Sequence, residues 1–129
     1  MHVTFIVVSI ILGLVMAGTG VPKLLQLRPT RASAEHLGVS VSLDRMIGVA
    51  EIAAAIGLSI GIASPLLSIV TGAAVCLLMC GALGYHIKVR DKISAMLPAV
   101  LTAGVAMAVV ALAAAAPASS FLPVLQMDH

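Results

Sequence analysis

Long apolar runs broken by short clusters of charge set the architecture of this chain. Residues 3–21 contain no Lys, Arg, Asp or Glu. At ~1.5 Å per residue that run covers about 28 Å, close to the ~30 Å hydrocarbon thickness of a bilayer. Three similar runs follow over residues 43–62, 66–87 and 93–116, each bounded by charge, Pro or Ser. The links at 63–65 and 88–92 are too short for anything but antiparallel neighbours. The pattern predicts an all-α fold, an integral membrane antiparallel four-helix bundle in a single domain over residues 1–129. Residues 23–42 form the longest predicted loop, in which Thr30 is placed to cap a short helix through His36 and Gly38 to end it.

Composition agrees with that class. Of 129 residues, 61% are hydrophobic and 9% charged, with mean hydropathy +1.20, against roughly 45–50% apolar and ~25% charged in soluble domains. The net charge of +2 is too small, and its basic residues too near helix ends, to serve nucleic acid. The opening "MHVTFIVVSIILGLVM" has no basic residue before its apolar run, and "AGTG" is a poor cleavage site, so a retained helix is expected instead of a signal peptide. All seven basic residues fall on one side of the expected bundle: Lys23, Arg28, Arg31 and Arg45 by the first loop, and Lys88, Arg90 and Lys92 in the third connection. The opposite side, with both termini and Asp128, carries no Lys or Arg. The loop over 23–42 is therefore expected to be cytoplasmic and both termini to lie outside the cytoplasm.

Lipid gives helices no hydrophobic reason to associate, so small residues are expected at close contacts. Gly13, Ala17 and Gly20 share a stripe of the first helix. On the second, Gly48, Glu51, Ala55 and Ser59 fall on one side, and Ala50, Ala53, Gly57 and Gly61 on the other. With two such faces, this helix is either central to the bundle or shared with a second copy in a homo-oligomer.

Glu51 is the residue that most needs an explanation. A charged side chain at the bilayer centre costs at least ~2.5–3.5 kcal/mol on insertion scales and marks a functional-site hypothesis. It lies six residues past Arg45, about 9 Å deeper along the helix axis, and antiparallel packing brings Lys23, Tyr85 and His86 toward the same level. A polar partner for Glu51 is expected among Lys23, Arg45, Tyr85 and His86. Two readings of the cluster stay open: an ion pair that locks the bundle, or a pocket that binds the head of a hydrophobic ligand such as a quinone, with Glu51 and His86 exchanging protons. Cys76 and Cys80, one turn apart in "VCLLMC", read as buried small hydrophobes, since a continuous helix orients such a pair poorly for a disulfide. No metal site is expected, because the four His and two Cys match no zinc template.

Three stretches resemble the DoxX-like family of small four-helix bacterial membrane proteins: "GTGVPKLL", "HLGVSVSLDRMIGVAEIAAAIGL" and "LLMCGALGYHIKVRDKISAMLPAVL". They look like the family's G-x-x-K-L, R-x-x-G-x-x-E-x-x-x-A-x-x-L, and A-x-x-x-H-x-x-x-x-D followed by L-P-A. Lys23, Arg45, Glu51, Ala82, His86, Asp91 and Pro98 stand at the matching positions. The resemblance implies a multi-pass protein of the bacterial inner membrane. It also implies association with a quinone- or thiol-linked redox complex and a soluble or membrane redox partner, as in relatives linked to thiosulfate:quinone oxidoreduction. No cofactor is intrinsic to the expected bundle, a bound quinone being the one considered. Other relatives act in assembly, so a non-enzymatic scaffold with a structural Glu51 cluster is the alternative.

The charge asymmetry yields a test of orientation. A Cys introduced at the N-terminus should react with a membrane-impermeant thiol reagent in intact cells. Protection of that Cys would reverse the topology.

Overall fold

Ser or Pro opens three of the helices, and residues in the left-handed conformation follow the ends of three. In a computed structural model, which describes residues 2–115, five helices form in the order α1 (His2–Leu25), α2 (Arg28–Leu37), α3 (Val41–Gly61), α4 (Pro65–Lys88) and α5 (Ile93–Ala114). The described residues contain no strand. Ser40 caps α3 by accepting the Leu43 N–H at 3.2 Å. Pro29 and Pro65 occupy the first turns of α2 and α4, where a missing N–H costs nothing. Gly38 closes α2 at φ 73°, its N–H reaching back to Glu35 O at 3.2 Å.

The sequence pattern misplaces some boundaries, and the reasons are local. The first helix runs past residue 21 to Leu25 because Pro22, inside it, removes only one backbone bond. The expected loop over 23–42 is largely helical: α2 starts two residues before Thr30, led in by Pro29. The expected end of the last helix at 116, and Asp128, lie outside the described residues.

Helix α1 packs on α3, α3 on α4, α4 on α5 and α5 back on α1, while α2 touches α1, α3 and α4. The core is made of Leu12, Met16, Leu58, Val75, Ala106 and Val109, whereas large apolar residues such as Leu14, Leu77, Ile93 and Leu101 point outward. Among the described residues, α1, α4 and α5 are long and apolar enough to cross a membrane. Helix α3 has 21 residues, but Asp44, Arg45 and Glu51 interrupt its apolar character. Over the described residues the chain is a small all-helical membrane protein.

Both small-residue faces of α3 contain contacts within this one chain. Gly48 meets α1, where an added Cβ would come within 2.9 Å of Gly20 O and of Lys23 Cβ. Gly57 and Gly61 meet Thr71 and Ser68 of α4, and the Ser68 hydroxyl donates to Gly61 O at 2.8 Å. Helix α3 thus packs on α1 and on α4 through small residues, while Ala50 and Ala53 stay exposed.

Glycine substitutions should separate contact from composition. Gly48→Ala should destabilise the protein by about 1–3 kcal/mol through overpacking. Gly18→Ala and Gly81→Ala, which meet nothing within 4 Å, should be neutral or stabilising through helix propensity by up to about 1 kcal/mol. Thermal unfolding in detergent reads the difference, and equal midpoints for all three variants would show that the α1–α3 contact is not tight.

Candidate functional site

The closest approach of α1 and α3 creates the polar site. Gly20 leaves room for Glu51, whose Cβ would lie 3.1 Å from an added Cβ there, and Gly48 leaves room for the stem of Lys23. Each glycine thus accommodates the charged residue of the other helix. Lys23 Nζ donates to both carboxylate oxygens of Glu51, each at 2.8 Å. The Glu51 side chain is 3% exposed and that of Lys23 23%. This two-pronged, charge-assisted geometry belongs to the stronger class of hydrogen bonds.

A second carboxylate lies on the same face of α3. Asp44 precedes Glu51 by seven residues, two helical turns, and the residue is 4% exposed. Its position follows from how α1 ends. Gln26 adopts φ 53°, and Leu27 N–H donates to Pro22 O at 3.1 Å, a left-handed closure more often made by glycine. Two side-chain bonds hold it there: Gln26 Nε2 donates to Lys23 O at 2.6 Å and to Asp44 Oδ2 at 2.8 Å. The end of α1 is thereby fastened to the first turn of α3.

The same kind of closure assembles a third polar group. After α4, Arg90 takes φ 57°, and Asp91 N–H donates to His86 O at 3.0 Å. That turn brings the Asp91 carboxylate back beside the His86 ring. Asp91 Oδ2 lies 2.6 Å from His86 Nδ1, and Oδ1 lies 2.6 Å from Nε2 of His36 on α2. The bond from His36, then that from His86, holds the Asp91 carboxyl below its ordinary range. An ionised carboxylate only accepts, so both facing nitrogens carry protons. His36 itself is 60% exposed, so the group runs from the surface inward.

These groups border one cavity of about 680 Å³ with walls from all five helices. Lys23, Asp44, Glu51, Tyr85 and His86 line it among mostly apolar neighbours, and α2 covers one side through Pro29, Ser33 and Leu37. Of the predicted cluster, Lys23 and Glu51 pair with each other, and Tyr85 and His86 line the same cavity without a hydrogen bond to either. Arg45 does not: it is exposed on α3, about 100° around the helix from Asp44. Asp44, Gln26, His36 and Asp91 join the polar network without having been predicted as site residues. The seven-residue spacing of Asp44 and Glu51 is a sequence signal for the first of these. Cys76 and Cys80 are both free. Cys76 is half-buried with Sγ 3.7 Å from Ala103 O, and Cys80 is exposed, so the expectation of two buried small residues fails at Cys80 and holds only in part at Cys76. Among the described residues no group of three His, Cys, Asp or Glu could hold a metal ion.

The model of the DoxX-like family matches the chain over residues 7–109. No curated protein and no solved structure matches it. The matched span contains the Lys23–Glu51 pair, Asp44 and the His36–Asp91–His86 group.

The depressed Asp91 carboxyl gives a pH dependence. Folded Asp91 binds protons less readily than the unfolded chain, so its contribution is complete above the unfolded value of about 3.9 and fades as pH falls through the lower folded value. Below about pH 4 the docking of α2 should therefore loosen progressively. Hydrogen exchange of α2 amides should rise there, while Asp91→Asn and His36→Ala should raise it already at neutral pH. An α2 exchange rate that ignores both pH and these substitutions would show that the histidine–aspartate contact does not hold the helix.

Proposed function

The chain belongs to the DoxX-like family, and from that membership and the geometry of the cavity we propose that it is a small membrane subunit of a quinone- or thiol-linked redox complex. In this reading the four long helices form one antiparallel transmembrane bundle over residues 1–129, in the inner membrane of a bacterium. Residues 23–42 face the cytoplasm and both termini lie outside it. Lys23, Glu51, Tyr85 and His86 line the ligand pocket, and Arg45 anchors α3 at the interface.

The observation that carries the reading is a carboxylate almost fully removed from the surface that borders a cavity. The cavity volume of about 680 Å³ falls within the ~300–1,000 Å³ of small-molecule sites, which pair apolar walls with a few polar groups. A quinone fits that description: its ring and tail suit the apolar walls, and its two oxygens suit the polar end. Bound there, it would supply two-electron, two-proton chemistry. The protein would contribute shape, exclusion of water, and groups at fixed positions: Lys23 fixing Glu51, and Asp91 fixing the His86 ring so that Nε2 can take up or return a proton. Electrons would come from a soluble or membrane redox partner.

A second reading has its own support. Lys23 meets both oxygens of Glu51 at 2.8 Å, which satisfies the pair internally and suits a non-enzymatic scaffold or assembly factor. A homo-oligomer would have an apolar face of α3 to use, since Met46, Val49, Ile56 and Ile60 point outward.

Titration with a short-chain benzoquinone separates the two. Glu51→Gln and His86→Ala should each weaken binding by about 10- to 150-fold, as expected for loss of one charge-assisted bond of roughly 1.5–3 kcal/mol. Cys76→Ala and Cys80→Ala should bind as the parent does. An unchanged response in the first two variants, in protein that unfolds at the parent temperature, would favour the scaffold.

A further inference from the structure

The four long helices form two close pairs, α1 with α3 and α4 with α5, that part from each other toward the polar end. Within the pairs, α1 meets α3 at Gly20 and Gly48, and α4 meets α5 at Gly72 and Ala106. Between the pairs, the near approaches of Gly57 to Thr71 and of Gly61 to Ser68 lie next to the link that joins α3 to α4. Toward the polar end the same faces lose their cover. Thr19 lies two turns after Leu12, Pro98 three turns before Val109, and Ala50 three turns before Gly61, so each shares a helix face with its counterpart. Leu12, Val109 and Gly61 are buried, whereas Thr19, Pro98 and Ala50 are exposed.

Slots between the pairs therefore open into the cavity. Val15, Thr19, Leu77, Gly81 and Pro98 all line it and are exposed, Leu77 by 74%. Leu77 precedes Lys88 by eleven residues and Val15 precedes Lys23 by eight, which puts them about 16 and 12 Å below the charged level. That is hydrocarbon depth in a bilayer whose core is ~30 Å thick. At the other extreme, Pro29 and Ser33 of α2 are exposed lining residues close in sequence to the exposed Arg28 and Arg31. The opening thus extends from the charged level down to the middle of the helices.

We propose that the cavity is entered sideways from the bilayer and takes a long-tailed amphiphile, whose head sits near Lys23 and Glu51 while its tail passes between the helix pairs into lipid. This inference rests on the ligand-pocket reading and adds to it the route and the tail. Lipid chains are as apolar as the Leu and Val of the walls, so a tail moves between bilayer and slot at little cost. Selectivity is then left to the head, where a withdrawn carboxylate and its ammonium are held 2.8 Å apart. A cavity of about 680 Å³ closed on all sides would limit the length of its ligand. One that opens at hydrocarbon depth does not.

Tyr85 supplies the probe, because it lines the cavity in a chain with no other Tyr and no Trp. Its emission reports on the cavity wall. Full-length protein is reconstituted into nanodiscs of phosphatidylcholine whose acyl chains are either brominated at mid-chain or unmodified, since bromine quenches on contact. Brominated chains should lower the Tyr85 emission severalfold. Gly18→Phe combined with Gly81→Phe, which fills space empty within 4 Å on both walls, should restore most of it, whereas Val49→Phe, on an outward face of α3, should not. Undiminished emission in brominated lipid, or equal quenching after the slots are filled, would overturn entry from the bilayer. If the filled variant does not fold, a photoreactive mid-chain group on the same lipid decides the matter with the wild type: adducts at Tyr85 and Thr19 support the slots, and adducts confined to outward residues such as Val49 and Ile56 overturn them. Quenching without benzoquinone binding would keep the slots and remove the quinone, and benzoquinone binding without quenching would do the reverse.

Discussion

The arrangement of the polar end turns on the contact of Lys23 with Glu51. A carboxylate withdrawn from water by apolar helices is tolerable only when a counter-charge or a proton neutralises it. Here the counter-charge comes from the neighbouring helix and reaches both oxygens at 2.8 Å. Two glycines allow this, since side chains at Gly20 and Gly48 would occupy the space now taken by Glu51 and by the stem of Lys23. Backbone proximity and electrostatics are thus one constraint. Removing one member of such a pair leaves the other uncompensated and costs about 3–5 kcal/mol.

From that contact the molecule divides into two ends of different character. Toward the Ala63–Pro65 link, α3 and α4 meet through Gly61 and Ser68, with the hydroxyl returned to a helix carbonyl. Toward α2, the side chains are polar and paired across elements: Gln26 with Asp44, His36 and His86 with Asp91. Both of these pairings depend on a left-handed residue that reverses the chain after a helix. The polar end therefore owes its form to how helices stop, and the apolar end to how they pack.

Much of this is written in the sequence, and what is not has identifiable causes. Long apolar runs reveal the long helices because a membrane-scale helix needs about 20 consecutive apolar residues. The partnership of Glu51 with Lys23 is legible because few side chains on the adjoining helix ends can answer a buried charge. Arg45 misleads: it has the right chemistry and the right depth, but the helical period turns it outward. The pairings of Gln26 and Asp91 are hidden because Gln and Arg at left-handed positions carry no local signature, unlike Gly38. His36 depends in turn on where α2 docks, which its own polar sequence does not specify. Asp44 could have been recognised from its spacing to Glu51 alone.

The contact between α1 and α3 also bears on how the protein is made. Synthesis delivers α1 first, an apolar helix ending in Lys23, and α3 follows after the short α2. Of the long helices, α3 is the one whose own charges oppose its entry into lipid. In the proposed four-helix bundle its counter-ion and the groove at Gly20 precede it in the chain, so its partition into the bilayer would be a joint property of two segments, the earlier helix serving as an intramolecular escort for the later one.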